Sequence, residues 1–159
     1  MTVRLAAADA ARLALAAERA WPEEACALLE GTRGGGRVLV AGVHLADNVA
    51  ADRVRRFEVD PRRLLSLHRA LRAGPTELVG VWHSHPDGSA ALSEADRAQA
   101  FENGFVWLLT PVCDRRAAGI VAFRAERGRG AVRFIPMDLE LRGDDALHPA
   151  DHNSAASVP

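Results

Sequence analysis

The sequence contains no lysine and no tyrosine; all 20 basic side chains are arginine, set against 21 acidic ones for a formal net charge of −1. A balance that close to neutrality argues against a dedicated nucleic-acid binder, which carries a strongly basic face. No apolar run approaches the ~18–20 residues that a membrane span needs, which excludes an integral membrane protein built on helices. Only two cysteines are present, too few for a disulfide framework, so a reducing cytoplasm is the expected compartment. A secretory signal needs an unbroken apolar core, and in the Ala-rich stretch 5–20 Asp9, Arg12 and Glu18 interrupt it. What is present is ordinary: 48% hydrophobic and 26% charged residues over 159 positions, the composition of one globular domain.

The chain divides into a patterned body, 1–142, and a polar stretch, 143–159, without periodicity, expected to be a disordered tail. Three Asp and no Arg fall in that stretch, leaving the body mildly basic. Residues 5–20 read as an amphipathic helix, with Asp9, Arg12 and Arg19 on one stripe and Ala10, Leu13, Ala17 and Ala20 on the other. Short apolar runs at 24–29 and 37–46, separated by the Gly-rich 32–36, predict a hairpin. A third strand is expected over 54–59. Pro61 then opens a helix over 61–73, closed by Gly74-Pro75. A buried strand is predicted at 77–83, a loop at 84–92 and a helix at 93–103 with Gly104 as its stop. Strands at 105–112, 119–127 and 132–141 complete an α+β fold, a mixed sheet with three helices in an α/β/α sandwich.

Four histidines, His44, His68, His148 and His152, stand at no informative spacing. His83 and His85 differ. In extended backbone an i, i+2 pair points to one face, and this pair sits where a buried strand enters a loop. Downstream, Asp96 stands in the first turn of a helix that folds back toward the strand end. Two imidazoles and one carboxylate make a three-ligand zinc site whose fourth position is left for water. Neither Cys26 nor Cys113 is near enough in sequence to close it as a structural site.

The string His83-Ser84-His85, seven residues, Ser93, two residues, Asp96 resembles the signature of the JAMM (MPN-plus) metalloproteases at every fixed position. Upstream, Pro22-Glu23-Glu24-Ala25-Cys26-Ala27-Leu28-Leu29 is similar to the family's Pro-x-Glu-x-Cys-Gly-Leu-Leu segment. Asn48-Val49-Ala50 and Arg56-Phe57-Glu58-Val59-Asp60-Pro61 resemble the small prokaryotic members. The resemblance covers about residues 3–141. It implies a cytidine-deaminase-like fold and one Zn2+ per chain, held by His83, His85 and Asp96. It also places the general base on Glu24. Glu23 is the rival; neighbours on a strand face opposite ways, so only one can address the metal.

Ser93 carries two readings. As Ser-x-x-Asp it starts a helix as a capping box; by resemblance its hydroxyl assists the oxyanion of a tetrahedral intermediate. An Asp96 committed to zinc is not expected to cap as well, which favours the catalytic reading. Ser84, between the ligands, reads as a packing residue. Cys26 shares the strand face of Glu24 and reads as a small buried hydrophobe, with a bond to Cys113 left open. Ala27 and Leu92 depart from the family's Gly and Pro, and Trp82 from its Tyr or Phe; none of the three is a ligand.

Members of the family cut after the C-terminal Gly-Gly of ubiquitin or ubiquitin-like proteins. Only Asn103-Gly104 separates the aspartate helix from the next strand, so the insertion of chain-specific deubiquitinases is absent. The resemblance therefore implies a substrate among ubiquitin-fold sulfur-carrier proteins, with no nucleic acid and no membrane as partner. The alternatives are a metal-free MPN scaffold and a peptidase on cell-wall or phage-type peptides.

Overall fold

The computed structural model describes residues 1–100 and 102–143; from residue 144 on, the expected tail lies outside the described residues. In order, the elements are β1 (Thr2–Ala6), α1 (Ala7–Ala20), β2 (Cys26–Gly34), β3 (Arg37–Ala46), α2 (Pro61–Leu71), β4 (Glu77–His85), α3 (Glu94–Gln99), β5 (Val106–Cys113), β6 (Arg116–Ala117), β7 (Val121–Arg127) and β8 (Val132–Arg142). The fold is α+β with a mixed sheet and three helices among the described residues.

Period-two alternation builds two cores from one sheet. In β2, Ala27 and Leu29 face a cluster shared with Val3, Leu5, Trp82 and Leu108, and α1 adds Leu13 and Ala17 to it. Cys26 and Leu28 face the other side, where Val81, Trp107 and Leu109 meet Leu67 of α2 and Leu92 and Ala100 around α3. Each of these Val and Leu side chains taken from water contributes about 1.5–3 kcal/mol. α1 thus packs on one face of the sheet, and α2 and α3 on the other.

The sheet is not the open middle layer of the expected α/β/α sandwich. Its strand order is β4-β2-β3-β1-β8-β7-β5-β6, and β4 pairs with β5 as well, so the sheet curves round and closes like a barrel. Closure depends on Gly80: a Cβ there would sit 2.1 Å from the Val106 carbonyl oxygen. The resulting parallel register sets His83 beside Leu109 and His85 beside Pro111.

Several sequence expectations are corrected. Residues 2–6 are a strand, so the helix expected from residue 5 begins at Ala7; Val3 and Leu5 alternate into the core between β3 and β8, both parallel. Residues 54–59 form no strand. Val54 is half exposed, and the segment pairs through a single bridge, Asn48 to Val59. β4 runs two residues beyond the expected end, through both histidines, and the helix after Ser93 ends at Gln99. The short strand β6 was not expected.

Candidate metal centre and active site

His83 and His85 leave the end of β4 on one face, as alternation dictates, and are buried at 0% and 5% exposure. Their Nε2 atoms converge to 3.1 Å. α3 starts at Ser93 and carries Asp96 back onto this pair, with Oδ1 3.2 Å from His83 Nε2 and Oδ2 3.4 Å from His85 Nε2. Tetrahedral coordination at ordinary zinc bond lengths separates neighbouring donors by about 3.4 Å, so the 3.1 Å between the two Nε2 atoms and the 3.2 Å from Asp96 Oδ1 to His83 Nε2 suit ligands of one ion. Tautomer chemistry agrees. His85 Nδ1 lies 3.1 Å from the Ser89 carbonyl, which can only accept, so Nδ1 carries a hydrogen; in the neutral ring that a cation requires, the lone pair is then on Nε2. Phe57 stacks on the His83 ring at 4.3 Å and Trp107 meets it edge-on at 5.9 Å.

Glu24 enters from the residues just before β2. Its backbone N–H donates to Arg53 O at 2.8 Å and its carbonyl accepts from Asn48 Nδ2 at 2.9 Å. Glu24, His83 and His85 offer potential ligand atoms within 4.8 Å of one another, yet Glu24 makes no ion pair with either imidazole. Its Oε2 is buried without a partner, as is His83 Nδ1. Burial pushes the Glu24 carboxyl up to about 8, partly offset by the charge of His85. Burial also acts on Asp96, but hydrogen bonds from His83, His85 and Ser93 hold it well below the carboxylate range. His83 is pulled down by burial, whereas Asp96 and Glu24 lift His85 above its ordinary value despite its own burial. A basic carboxylate thus faces a converging set of nitrogen and oxygen donors. The donor set and the unpartnered Glu24 oxygen fit a divalent cation with a water beside it.

All five predicted residues come together. Glu24, His85 and Ser93 line one cleft of about 500 Å3, walled by Trp21, Pro22 and Val54. Glu23, the rival base, points instead toward Arg53 with its side chain about half exposed. Ser93 caps α3, its hydroxyl donating to Asp96 Oδ2 at 2.7 Å and accepting from Asp96 N–H at 3.1 Å. The capping box therefore forms although Asp96 also faces the histidines, contrary to expectation. His44 joins Glu30 at 2.8 Å, away from the site, and His68 lies on α2. Both cysteines are free, Cys26 buried and Cys113 exposed; burial pushes the Cys26 thiol up to about 12.

Three contributors escaped the sequence reading of the site. Asn48 makes four hydrogen bonds, donating to Glu24 O and Arg56 O and accepting from Ala50 and Glu58 N–H. Ser84 accepts from Ala25 N–H through Oγ at 2.9 Å and donates its own N–H to Ala25 O at 3.0 Å, so it anchors the glutamate segment instead of merely packing. Phe57 orients His83. Asn48 and Phe57 lay in stretches that supported the resemblance, but neither residue type announces its role.

Residues 6–137 match the profile of the prokaryotic homologs of the JAB domain, Prok-JAB. The chain belongs to this family. Among curated proteins, the desampylase of Haloferax volcanii is 34% identical over 88 residues, 55% of this chain and 62% of that protein. The chain thus spans less than two thirds of that relative's length. Among solved structures, a Desulfitobacterium hafniense protein superposes with a TM-score of 0.76 at 24% identity, covering 96% of this chain and 100% of that one. A Salinibacter ruber protein does so with a TM-score of 0.62 at 27% identity, covering 96% and 97%. As a JAB-domain protein, the chain carries His83, His85, Ser93 and Asp96 inside the matched region, together with Glu24.

Proposed function

We propose that the protein is a zinc-dependent isopeptidase that hydrolyses the bond after the C-terminal Gly-Gly of a ubiquitin-like or sulfur-carrier protein. One observation carries this reading: a buried carboxylate, Glu24, with an unpartnered oxygen, stands beside two imidazoles and Asp96 whose spacing suits a single cation. Membership of the JAB-domain family and the similarity to a desampylase support the reaction class and the ubiquitin-like substrate.

His83, His85 and Asp96 would hold the zinc, which supplies Lewis acidity and brings the pKa of water toward about 7. Glu24, made basic by burial, takes the proton of the attacking water. It then returns that proton to the leaving amine as the amide C–N bond breaks. Ser93 steadies Asp96 and lies on the cleft, where turning its hydroxyl hydrogen outward would let it meet the developing oxyanion. The cleft walls exclude bulk water from Glu24 and accept an extended tail whose last two residues lack side chains.

Mass spectrometry of carrier–amino-acid adducts incubated with zinc-loaded protein tests the proposal. The mass of the freed carrier should appear with wild type, and Glu24→Gln should slow its release by about 10²–10⁴-fold. Adducts left intact by wild type, or equal release by both proteins, would overturn it. The complete set of donors and base argues against a metal-free scaffold, which would have no use for a buried, unpaired carboxylate.

A further inference from the structure

The arginines are unevenly spread. Residues 53–72 hold seven arginines and two acidic residues, a net +5 within a chain of −1, so the remainder carries −6. All seven are exposed. Among the described residues, only Arg53 of the seven approaches a carboxylate, Glu23 at 3.9 Å. Elsewhere Arg4, Arg12, Arg33, Arg97, Arg124 and Arg133 each meet an acidic partner. Local stability does not account for this cluster. Arg62 and Arg63 occupy the first turn of α2, where the helix dipole disfavours positive charge, and no acidic residue sits in that turn.

Geometry organises the charge. On α2, Leu64, Leu67 and Leu71 pack inward. Arg62, Leu65, Arg69 and Arg72 follow at helical spacing along one outward stripe, with Leu65 50% exposed at its centre. Beside this helix runs an apolar groove of about 210 Å3 lined by Phe57, Leu64, Val81, Phe105 and Trp107. The stretch also begins at the catalytic site: Arg53 O holds the Glu24 N–H, Arg56 O takes Asn48 Nδ2, and the Phe57 ring stacks on His83.

Resting on the function proposed above, we infer that the Arg62–Leu65–Arg69–Arg72 stripe of α2 is the docking surface for the folded body of the substrate, an acidic face with an apolar centre on a ubiquitin-fold protein. Charge complementarity selects the partner and speeds encounter, while Leu65 and the groove supply apolar contact. A nucleic acid fits less well, because among the described residues no aromatic side chain is exposed on this face for bases to stack on.

The test uses full-length Glu24→Gln protein, zinc-loaded, and a strongly acidic ubiquitin-fold protein ending in Gly-Gly, with binding followed by biolayer interferometry. Adding Arg62→Glu, Arg69→Glu and Arg72→Glu should weaken binding by about ten-fold or more at low salt and flatten its salt dependence. The same charge change at Arg19→Glu, Arg37→Glu and Arg116→Glu, away from α2, should leave affinity within about two-fold. The milder Arg62→Gln, Arg69→Gln, Arg72→Gln variant, matched to the parent by circular dichroism, should fall between. Equal losses in the two reversed triples, no loss in the α2 triple, or tighter binding to a DNA duplex than to the acidic protein overturns the inference. Arginine-dependent binding by a protein that cleaves no carrier adduct would sink the enzymatic reading and leave the docking surface standing.

Discussion

Asp96 divides its carboxylate between Ser93 and the imidazoles: Oδ2 takes the Ser93 backbone N–H at 2.6 Å and its hydroxyl at 2.7 Å, while Oδ1 faces His83 Nε2 at 3.2 Å. A carboxylate offers about four lone-pair sites on two oxygens, so capping and ligation do not compete. The cap aims Asp96 at the two imidazoles, where the proposed cation would sit.

Ser93 substitutions should separate cap from chemistry. Ser93→Asn keeps an efficient cap, so melting temperature and zinc affinity should stay near wild type while kcat falls, since no hydroxyl remains on the cleft. Ser93→Thr should restore most of kcat. Ser93→Ala should lose about 1 kcal/mol of stability as well. Wild-type kcat in Ser93→Asn would confine the residue to capping.

Asn48 and Ser84 hold the segment of the proposed base Glu24 from two sides, without hydrogen bonds to the proposed metal ligands. Asn48→Asp replaces two donating hydrogens by an oxygen facing the Glu24 and Arg56 carbonyls. It should cost about 2–4 kcal/mol, two lost hydrogen bonds with both carbonyls unpaired. Ser84→Ala strands the buried Ala25 N–H and should cost about 1–3 kcal/mol. Both should lower kcat more than they change zinc affinity, read by chemical denaturation, steady-state kinetics and competition with a chromophoric chelator. A variant that loses zinc before it loses kcat would contradict this division.

The extent to which these roles were legible in sequence follows from their range. His83, His85 and Asp96 could be placed because strand alternation and one helical turn are local rules, and the strand run and helix start bracketing them were visible. Asn48 could not, because its four hydrogen bonds join segments up to 24 residues apart. The strand at 2–6 was hidden for a similar reason: its partners are β3 and β8, the latter more than 130 residues away. The two alternating residues, Val3 and Leu5, are too few to reveal a period. Closure of the sheet through Gly80 and Val106 was equally invisible, since a glycine within a strand does not say which backbone comes close.

Phe57 should tune the centre through orientation alone. Its ring lies 20° from parallel to His83, filling space that otherwise lets the imidazole turn. Phe57→Leu keeps most of the apolar volume but removes the flat contact, so zinc affinity should drop by about 10–100-fold, the range for outer partners of metal ligands. Chelator competition measures it. An unchanged affinity would show that Trp107 and the β4 backbone suffice to fix His83.

The stability of metal-free protein should carry the signature of Glu24. Its carboxyl is raised from 4.5 to about 8, chiefly by burial, so the folded state keeps a proton that the unfolded chain releases. Its contribution is fully present below about pH 4.5 and is lost as pH climbs toward 8. His85, also raised, acts with the same sign, and the lowered His83 acts against it. Asp96 acts oppositely at the acid end, stabilising above its ordinary pKa of 3.8 and losing that contribution as pH falls below it. Chelator-treated wild type should therefore melt at progressively lower temperature between about pH 5 and pH 8. Glu24→Gln, which has no proton to lose there, should show a shallower decline with the histidine contributions intact. Adding zinc should offset the buried negative charge, so its stabilisation of wild type should grow with pH more steeply than its stabilisation of Glu24→Gln. Thermal melts of the two proteins with and without metal measure both slopes, and parallel slopes would mean that Glu24 is ionised and solvated in the metal-free fold.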